Sequence, residues 1–213
     1  MSADKIKILL VDDHSVVRNG IRLMLGTAED IEVAGEAETA QAALRFAQDR
    51  DVDVVLVDIN LPDKNGLELI KRLRSQHPKI AAVVLTAYPE ETYALRAFKH
   101  GASAYLNKNS STDVIVAAVR KAAAGGKYLT PETMEMIAGM ICGDQAGCHD
   151  VLSNRELEVL KRLAEGESLV RIAEQLHLSP STVTTYRARV LEKMGMKSNA
   201  ELTRYAIEHG LLG

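Results

Sequence analysis

Five side chains in the first 108 residues have the types needed to accept a phosphoryl group together: Asp12, Asp13, Asp58, Thr86 and Lys108. Three carboxylates held close repel one another unless a divalent cation neutralises them, and Mg2+ favours a few carboxylates with several waters. A carboxylate held in this way can act as a nucleophile towards phosphorus and carry an aspartyl phosphate. A lysine ammonium and a threonine hydroxyl beside it would hold the phosphoryl oxygens where negative charge develops. Taken singly, an Asp after a strand is a turn former or helix cap, the role expected here for Asp30 and Asp63. The five together point to chemistry, because perturbed charges gather at sites. His14 lacks a nearby His or Cys partner and is expected to be a polar start to the first helix rather than a metal ligand.

Such a set needs a scaffold that delivers its members to one edge. The stretch "DVDVVLVDINLPDKNG" is almost entirely apolar and β-branched over Val52–Val57 apart from Asp53, which predicts a strand there; it stops on Asp58, and then turns through Pro, Asp, Asn and Gly. Similar short runs at 6–11, 31–37, 80–86 and 104–106 alternate with helical patterns at 15–25, 39–49, 67–76, 90–100 and 112–124. Five strands with intervening helices predict a parallel sheet covered on both faces, and near-continuous apolar runs such as "IKILLV" and "AAVVLT" suit its centre. In an open parallel sheet ligands bind beyond the carboxyl ends of the strands, where the strand order reverses. Asp12 and Asp13 follow the first strand, Asp58 the third, Thr86 ends the fourth and Lys108 follows the fifth.

The motifs "ILLVDDH", "VDINLPDKNGLEL", "VVLTAY" and "GASAYLNK" resemble those of response-regulator receiver domains, the CheY-like part of bacterial two-component systems, over residues 5–124. The resemblance implies a doubly wound α/β fold of the CheY/flavodoxin type with Asp58 as phosphoacceptor. It also implies an acidic pocket of Asp12 and Asp13 for Mg2+, with Asp13, Asp58 and the backbone carbonyl of Asn60 as ligands. Lys108 would hold the phosphoryl group, and Thr86 and Tyr105 resemble the switch pair, in which the hydroxyl moves to the phosphoryl group and the ring follows. Leu61 stands where many receivers have Met, and Asn109 where many have Pro. The second departure leaves open whether the Lys108–Asn109 peptide is cis, a costly state without proline.

Gly125–Gly126 breaks the alternation. Thr130 reads as an N-cap with Pro131 at the first helical position, opening a short helix to about residue 141 within a linker at 125–147. Beyond it, residues 148–213 show four short helical patterns and no strand. Ser179 is a good N-cap, Pro180 fits the first turn, and His177–Leu178 makes a tight turn from the preceding helix, which together predict a helix-turn-helix. A helical wheel over 181–194 gathers Val183, Val190 and Met194 on the packed side and sets Thr184, Thr185, Ala188 and Arg189 opposite. Pattern alone equally fits an ordinary four-helix domain. The elements "LSNRE", "IAEQLHLSPSTVTTYRAR" and "KMGMKSNAEL" resemble LuxR-type helix-turn-helix domains, and the two domains together resemble the NarL/FixJ class. Thr184 stands where many relatives carry Lys, so that contact is not carried over. Thr184, Thr185, Arg187 and Arg189 are expected to meet DNA, with Lys193 near a phosphate. Leu202, Tyr205 and Ala206 share a stripe of the last helix that fits either core or a dimer contact.

Net charge is −3, so no whole-chain basic footprint exists, but residues 151–213 carry nine Lys and Arg against eight Asp and Glu, a net +1. No apolar run approaches the ~20 residues of a membrane helix, and the first residues lack a signal peptide's apolar core, so a cytoplasmic place is expected. Cys142 and Cys148 lack metal or redox spacing and read as free thiols.

The expected function is that of a phosphorylation-activated transcriptional regulator and not an enzyme. The implied partners are a sensor histidine kinase, promoter DNA bound as a homodimer, and RNA polymerase. Haloacid-dehalogenase-type phosphatases also form an aspartyl phosphate, but they use a second Asp two residues on as general acid, where this chain has Asn60. Their nucleophile also follows the first strand of the core. A third possibility is a constitutive DNA-binding protein with a relic receiver.

Overall fold

A computed structural model describes residues 5–141 and 152–212. The chain divides into two compact units, Met1–Ala138 and Gly139–Gly213.

In the first unit, strands β1 (Ile6–Val11), β2 (Ile31–Ala37), β3 (Val54–Val57), β4 (Ala81–Thr86) and β5 (Ala104–Asn107) alternate with helices. These are α1 (Ser15–Leu25), α2 (Ala40–Asp49), α3 (Gly66–Gln76), α4 (Glu90–Lys99) and α5 (Thr112–Ala123). The five strands form one parallel sheet in the order β2-β1-β3-β4-β5, so the expected doubly wound fold is what the chain adopts. The order reverses between β1 and β3, which makes their carboxyl ends the place for a ligand.

Alternation along the strands decides which face each residue supports. Ile8, Leu10, Val54, Leu56, Val83, Leu85, Ala104 and Leu106 pack with Ile21 and Leu25 of α1 and Ile115, Val119 and Ala122 of α5. The intervening residues, Leu9, Val11, Val55, Val57 and Val84, are equally buried beneath the helices of the other face. Strand β3 starts at Val54 rather than Val52. Asp53 is occupied with Lys7: its amide donates to the Lys7 carbonyl at 2.9 Å, and its Oδ2 accepts from the Lys7 amide at 2.8 Å.

Helix α6 (Pro131–Ile141) starts where expected, with the Thr133 amide donating to Thr130 Oγ1 at 3.0 Å. The segment before it, read as linker, is bound to the first unit. The Tyr128 amide donates to the Ser103 carbonyl at 2.8 Å, and Tyr128 packs on the sheet core. Lys127 Nζ donates to the Ala102 carbonyl, and Thr130 and Thr133 hydroxyls both donate to Glu90 Oε1. Cys142 and Cys148 lie outside the described residues.

The second unit holds α7 (Asn154–Ala164), α8 (Leu169–Gln175), α9 (Pro180–Met194) and α10 (Asn199–Glu208). Each opens on a serine, Ser153, Ser168, Ser179 and Ser198, whose side chain accepts from a first-turn amide. Helix α7 packs on α9 and α10, and α8 packs on α9. His177, with φ 52, makes the turn between α8 and α9, and Gly195, with φ 64, ends α9 in the left-handed conformation that favours glycine. Leu157, Leu160, Ile172, Val183, Val190 and Leu202 are fully buried between them. Among the described residues no helix is long and apolar enough to cross a membrane.

Candidate functional site

The sheet register brings the acids together. Val11, the last residue of β1, pairs with Val57, the last of β3, so Asp12 and Asp58 leave the sheet side by side. The Asp58 amide donates to the Val11 carbonyl at 2.9 Å, and both carboxylates are buried, at 5% and 3% exposure. Thr86 Oγ1 donates to Asp58 Oδ1 at 2.7 Å, and Lys108 Nζ donates to Asp58 Oδ2 at 2.7 Å. The same ammonium lies 2.5 Å from Asp12 Oδ2. Asp12, Asp58, Thr86 and Lys108, 96 residues apart at the extremes, therefore touch.

Asp13 is half-buried beside them, and ligand atoms of Asp12, Asp13, His14 and Asp58 all lie within 4.8 Å of one another. Three carboxylates against one ammonium leave a formal charge of −2, which one divalent cation would cancel. Asp13 Oδ1 is buried and accepts no well-directed hydrogen bond, although His14 Nδ1 stands 2.8 Å away. Hard oxygen donors, unspent acceptor capacity and the charge deficit together fit Mg2+. Burial alone would lower the Lys108 pKa, but Asp58 and Asp12 outweigh it and raise it above its ordinary value. His14 caps α1 without a side-chain capping bond, as a polar helix start, yet its ring reaches both Asp12 and Asp13.

Residues outside the expected set hold this pocket in shape. Arg18 is buried on α1, donating from Nη1 to the Asp12 carbonyl at 2.6 Å, from Nε to Glu36 at 3.1 Å and from Nη2 to Glu38 at 2.7 Å. Its sequence signal was an arginine in line with Ile21 and Leu25 on the apolar stripe of an amphipathic helix. Gly66 is required by space, since a β-carbon there would meet the Asp58 carbonyl oxygen at 2.0 Å. Asp63 caps a helix as expected, but the helix is α2: Ala40 and Gln41 amides donate to its two oxygens at 2.9 and 3.0 Å. Asp30 instead pairs with Arg120 through two bonds of 2.8 and 2.7 Å. Asn60, half-buried in the loop after β3, bridges to Asn65, whose side chain caps α3.

Tyr105 is buried, and its hydroxyl donates to the carbonyls of Tyr88 at 3.0 Å and Pro89 at 3.3 Å, in the loop that Thr86 begins. No described peptide is cis, so Lys108–Asn109 is trans.

In the second unit α9 buries Val183, Val190 and Met194 and exposes Thr184, Thr185, Ala188 and Arg189, as the wheel requires. Two expected contacts are tied into the domain. Arg187 is half-buried and donates from Nε to Asn199 Oδ1 at 2.7 Å, and exposed Lys193 donates to Glu156 Oε2 at 2.7 Å. Leu202, Tyr205 and Ala206 are core, which leaves Thr203, Arg204 and Ile207 on the outer side of α10.

Two family descriptions match the chain: the response regulator receiver domain over residues 8–120, and bacterial regulatory proteins of the luxR family over residues 150–206. The response regulator GacA of Pseudomonas aeruginosa is 36% identical over 211 residues, spanning 97% of this chain and 98% of that protein. RcsB from Salmonella enterica serovar Typhimurium, bound to promoter rprA with the phosphomimetic BeF3−, matches at a TM-score of 0.64 and 25% identity, covering 95% of this chain and 98% of that one. A structure of two RcsB dimers bound to two parallel DNAs matches at 0.59 and 25%, with the same coverage.

Proposed function

This chain belongs to the response regulators that join a receiver to a luxR-type DNA-binding domain, and on that premise we propose that a phosphoryl group on Asp58 controls DNA binding through α9. The supporting observation is the double hold on Asp58, by the Thr86 hydroxyl on one oxygen and the Lys108 ammonium on the other.

A sensor histidine kinase would present a phosphohistidine. An Asp58 oxygen attacks phosphorus, the P–O bond forms as the P–N bond breaks, and the imidazole leaves with the bonding pair and takes up a proton. Lys108 and Thr86, which donate to the two Asp58 oxygens, would donate to the phosphoryl oxygens as charge shifts onto them. Asp12, Asp13, Asp58 and the Asn60 carbonyl would hold Mg2+, which when bound supplies positive charge to the phosphoryl oxygens.

Thr86 and Tyr105 act as the switch pair. Both already face inward, so phosphorylation would stabilise an arrangement within reach of the unmodified chain. Moving such an equilibrium from mostly off to mostly on takes about 5 kcal/mol of differential stabilisation.

The output is carried by Thr184, Thr185, Arg187, Arg189 and Lys193 on or near a two-fold-symmetric promoter site. A unit of net charge +1 gains little from phosphate contacts alone, and two copies on two half-sites multiply its affinity. RNA polymerase is the partner through which binding would change transcription. Incubation with Mg2+ and acetyl phosphate, followed by intact-mass measurement, tests the acceptor. Wild type should gain one phosphoryl group and Asp58→Ala none. Labelling of the variant would sink the assignment, and no labelling of either protein from any donor would favour constitutive DNA binding.

A further inference from the structure

We propose that Thr184 and Thr185 read thymine 5-methyl groups through their own methyls, and that their hydroxyls take no part in reading bases. The proposal rests on α9 being the helix that enters the groove, and it goes further by naming what the helix selects. Both side chains are exposed on the outer face, one residue apart, with Ala188 and Arg189 one turn on. Neither hydroxyl is free. Thr184 Oγ1 donates to the Pro180 carbonyl at 2.9 Å, and Thr185 Oγ1 donates to the Ser181 carbonyl at 3.1 Å. With its oxygen turned back onto the helix, each Cβ is left with a methyl group to offer outward.

The Ala188 methyl continues the Thr184 stripe; Ser181 and Glu192 are exposed on the same face one turn before and one turn after these methyls, and Arg189 stands at its edge. In the major groove the only apolar feature of a base pair is the thymine methyl, which threonine and alanine methyls contact. A face whose hydroxyl protons are already committed is therefore better matched to thymine than to a donor–acceptor pair.

Serine and valine separate the two halves of threonine. Serine keeps the hydroxyl and loses the methyl; valine keeps the methyl and loses the hydroxyl, with a helix propensity close to that of threonine. Sites would first be selected from a random-sequence duplex library with the full chain treated with acetyl phosphate and Mg2+. The strongest duplex would then be resynthesised with deoxyuridine in place of each thymidine in turn, which removes the 5-methyl and leaves pairing intact.

Wild type should lose about fourfold in affinity for each read methyl removed. Thr184→Ser and Thr185→Ser should each bind the unmodified duplex about that much more weakly and stop distinguishing thymidine from deoxyuridine at one position per half-site. Thr184→Val and Thr185→Val, which keep the methyl, should still distinguish thymidine from deoxyuridine at the positions where the serine variants do not. Indifference of wild type to every deoxyuridine would overturn the proposal. So would sensitivity that survives both serine variants, or valine variants that bind worse than serine ones. Enrichment of no sequence at all would instead remove the DNA-binding role of α9, and this proposal with it.

Discussion

A β-carbon at Gly66 would stand 2.0 Å from the carbonyl oxygen of Asp58, and the Gly66 amide donates to the Ile59 carbonyl at 2.8 Å. The loop after β3 folds back flush against the main chain of the acid it follows. Asp58 and the first turn of α3 are therefore placed as one piece. Gly66→Ala should force one of them to shift, lowering the stability of the receiver by about 1–3 kcal/mol in urea melts. Phosphoryl uptake from acetyl phosphate should slow more than tenfold in the same protein. Wild-type uptake in a destabilised variant would show that the loop yields without moving the acid.

Lys108→Met removes the ammonium shared by Asp58 and Asp12. Uptake should fall by about 10²-fold or more, as for loss of a preorganised charge-stabilising donor. Mg2+ binding by calorimetry should persist or tighten, because the pocket becomes more negative. The Lys108 pKa is raised, so its ion pairs are fully present below the ordinary value of 10.5 and are lost only as pH rises through the higher folded value. Uptake across neutral pH should therefore show no titration from this group.

Arg18→Met would free the Asp12 carbonyl from its guanidinium and leave Glu36 and Glu38 without their partner. A loss of about 2 kcal/mol in stability is expected, discounted because both glutamates are partly in solvent. The informative readout is Mg2+ affinity, which should weaken several-fold. Arg18→Lys, which can restore charge but not the planar fork, should recover only part of it.

In the second unit, burial would raise the Glu156 pKa, but hydrogen bonds from Lys193 and from the Ser153 amide and the Lys193 charge more than offset this and hold it below its ordinary 4.5. A depressed acid stabilises fully above its unfolded value and loses that contribution as pH falls through the folded one. Thermal melts of wild type should thus decline in acid below about pH 4.5, and Glu156→Gln should flatten that decline. An unchanged profile in the variant would assign the acid sensitivity elsewhere.

Arg187 and Arg189, two residues apart, should separate cleanly. Arg187→Ala loses the bond to Asn199 that joins α9 to α10, costing about 1 kcal/mol of stability. Arg189→Ala, at an exposed position, should melt as wild type does but bind DNA more weakly, with a salt slope reduced by about one if it contacts a phosphate.

Local pattern carried most of the fold. All five strands and the helices of both units could be placed from periodicity, because fully apolar runs such as Val54–Val57 have few alternatives to a buried parallel strand. Within the pocket, Asp12, Asp58, Thr86 and Lys108 were legible because strand ends converge in this topology. Arg18 on the Asp12 carbonyl, Asp63 on the start of α2 and Glu90 beneath Thr130 and Thr133 were not. Those bonds join elements whose partners are set only once the sheet has formed. Arg187 and Lys193 show the same limit at the other end of the chain, since a wheel gives the face of a helix but not the neighbouring side chain that engages it.

Helix α9 divides two kinds of inheritance between its sides. Val183, Val190 and Met194 are buried, while Thr184, Thr185, Ala188 and Arg189 stand in solvent. Exposed substitutions away from caps and ion pairs change stability by about 0.5 kcal/mol or less, so selection against misfolding scarcely sees the outer side. A duplicated copy of the gene could therefore drift towards a new set of promoters through intermediates that all fold. The inner side limits which mutants survive, and with α9 as the proposed DNA-contacting helix the outer side would limit which regulators in one cell are confused with each other.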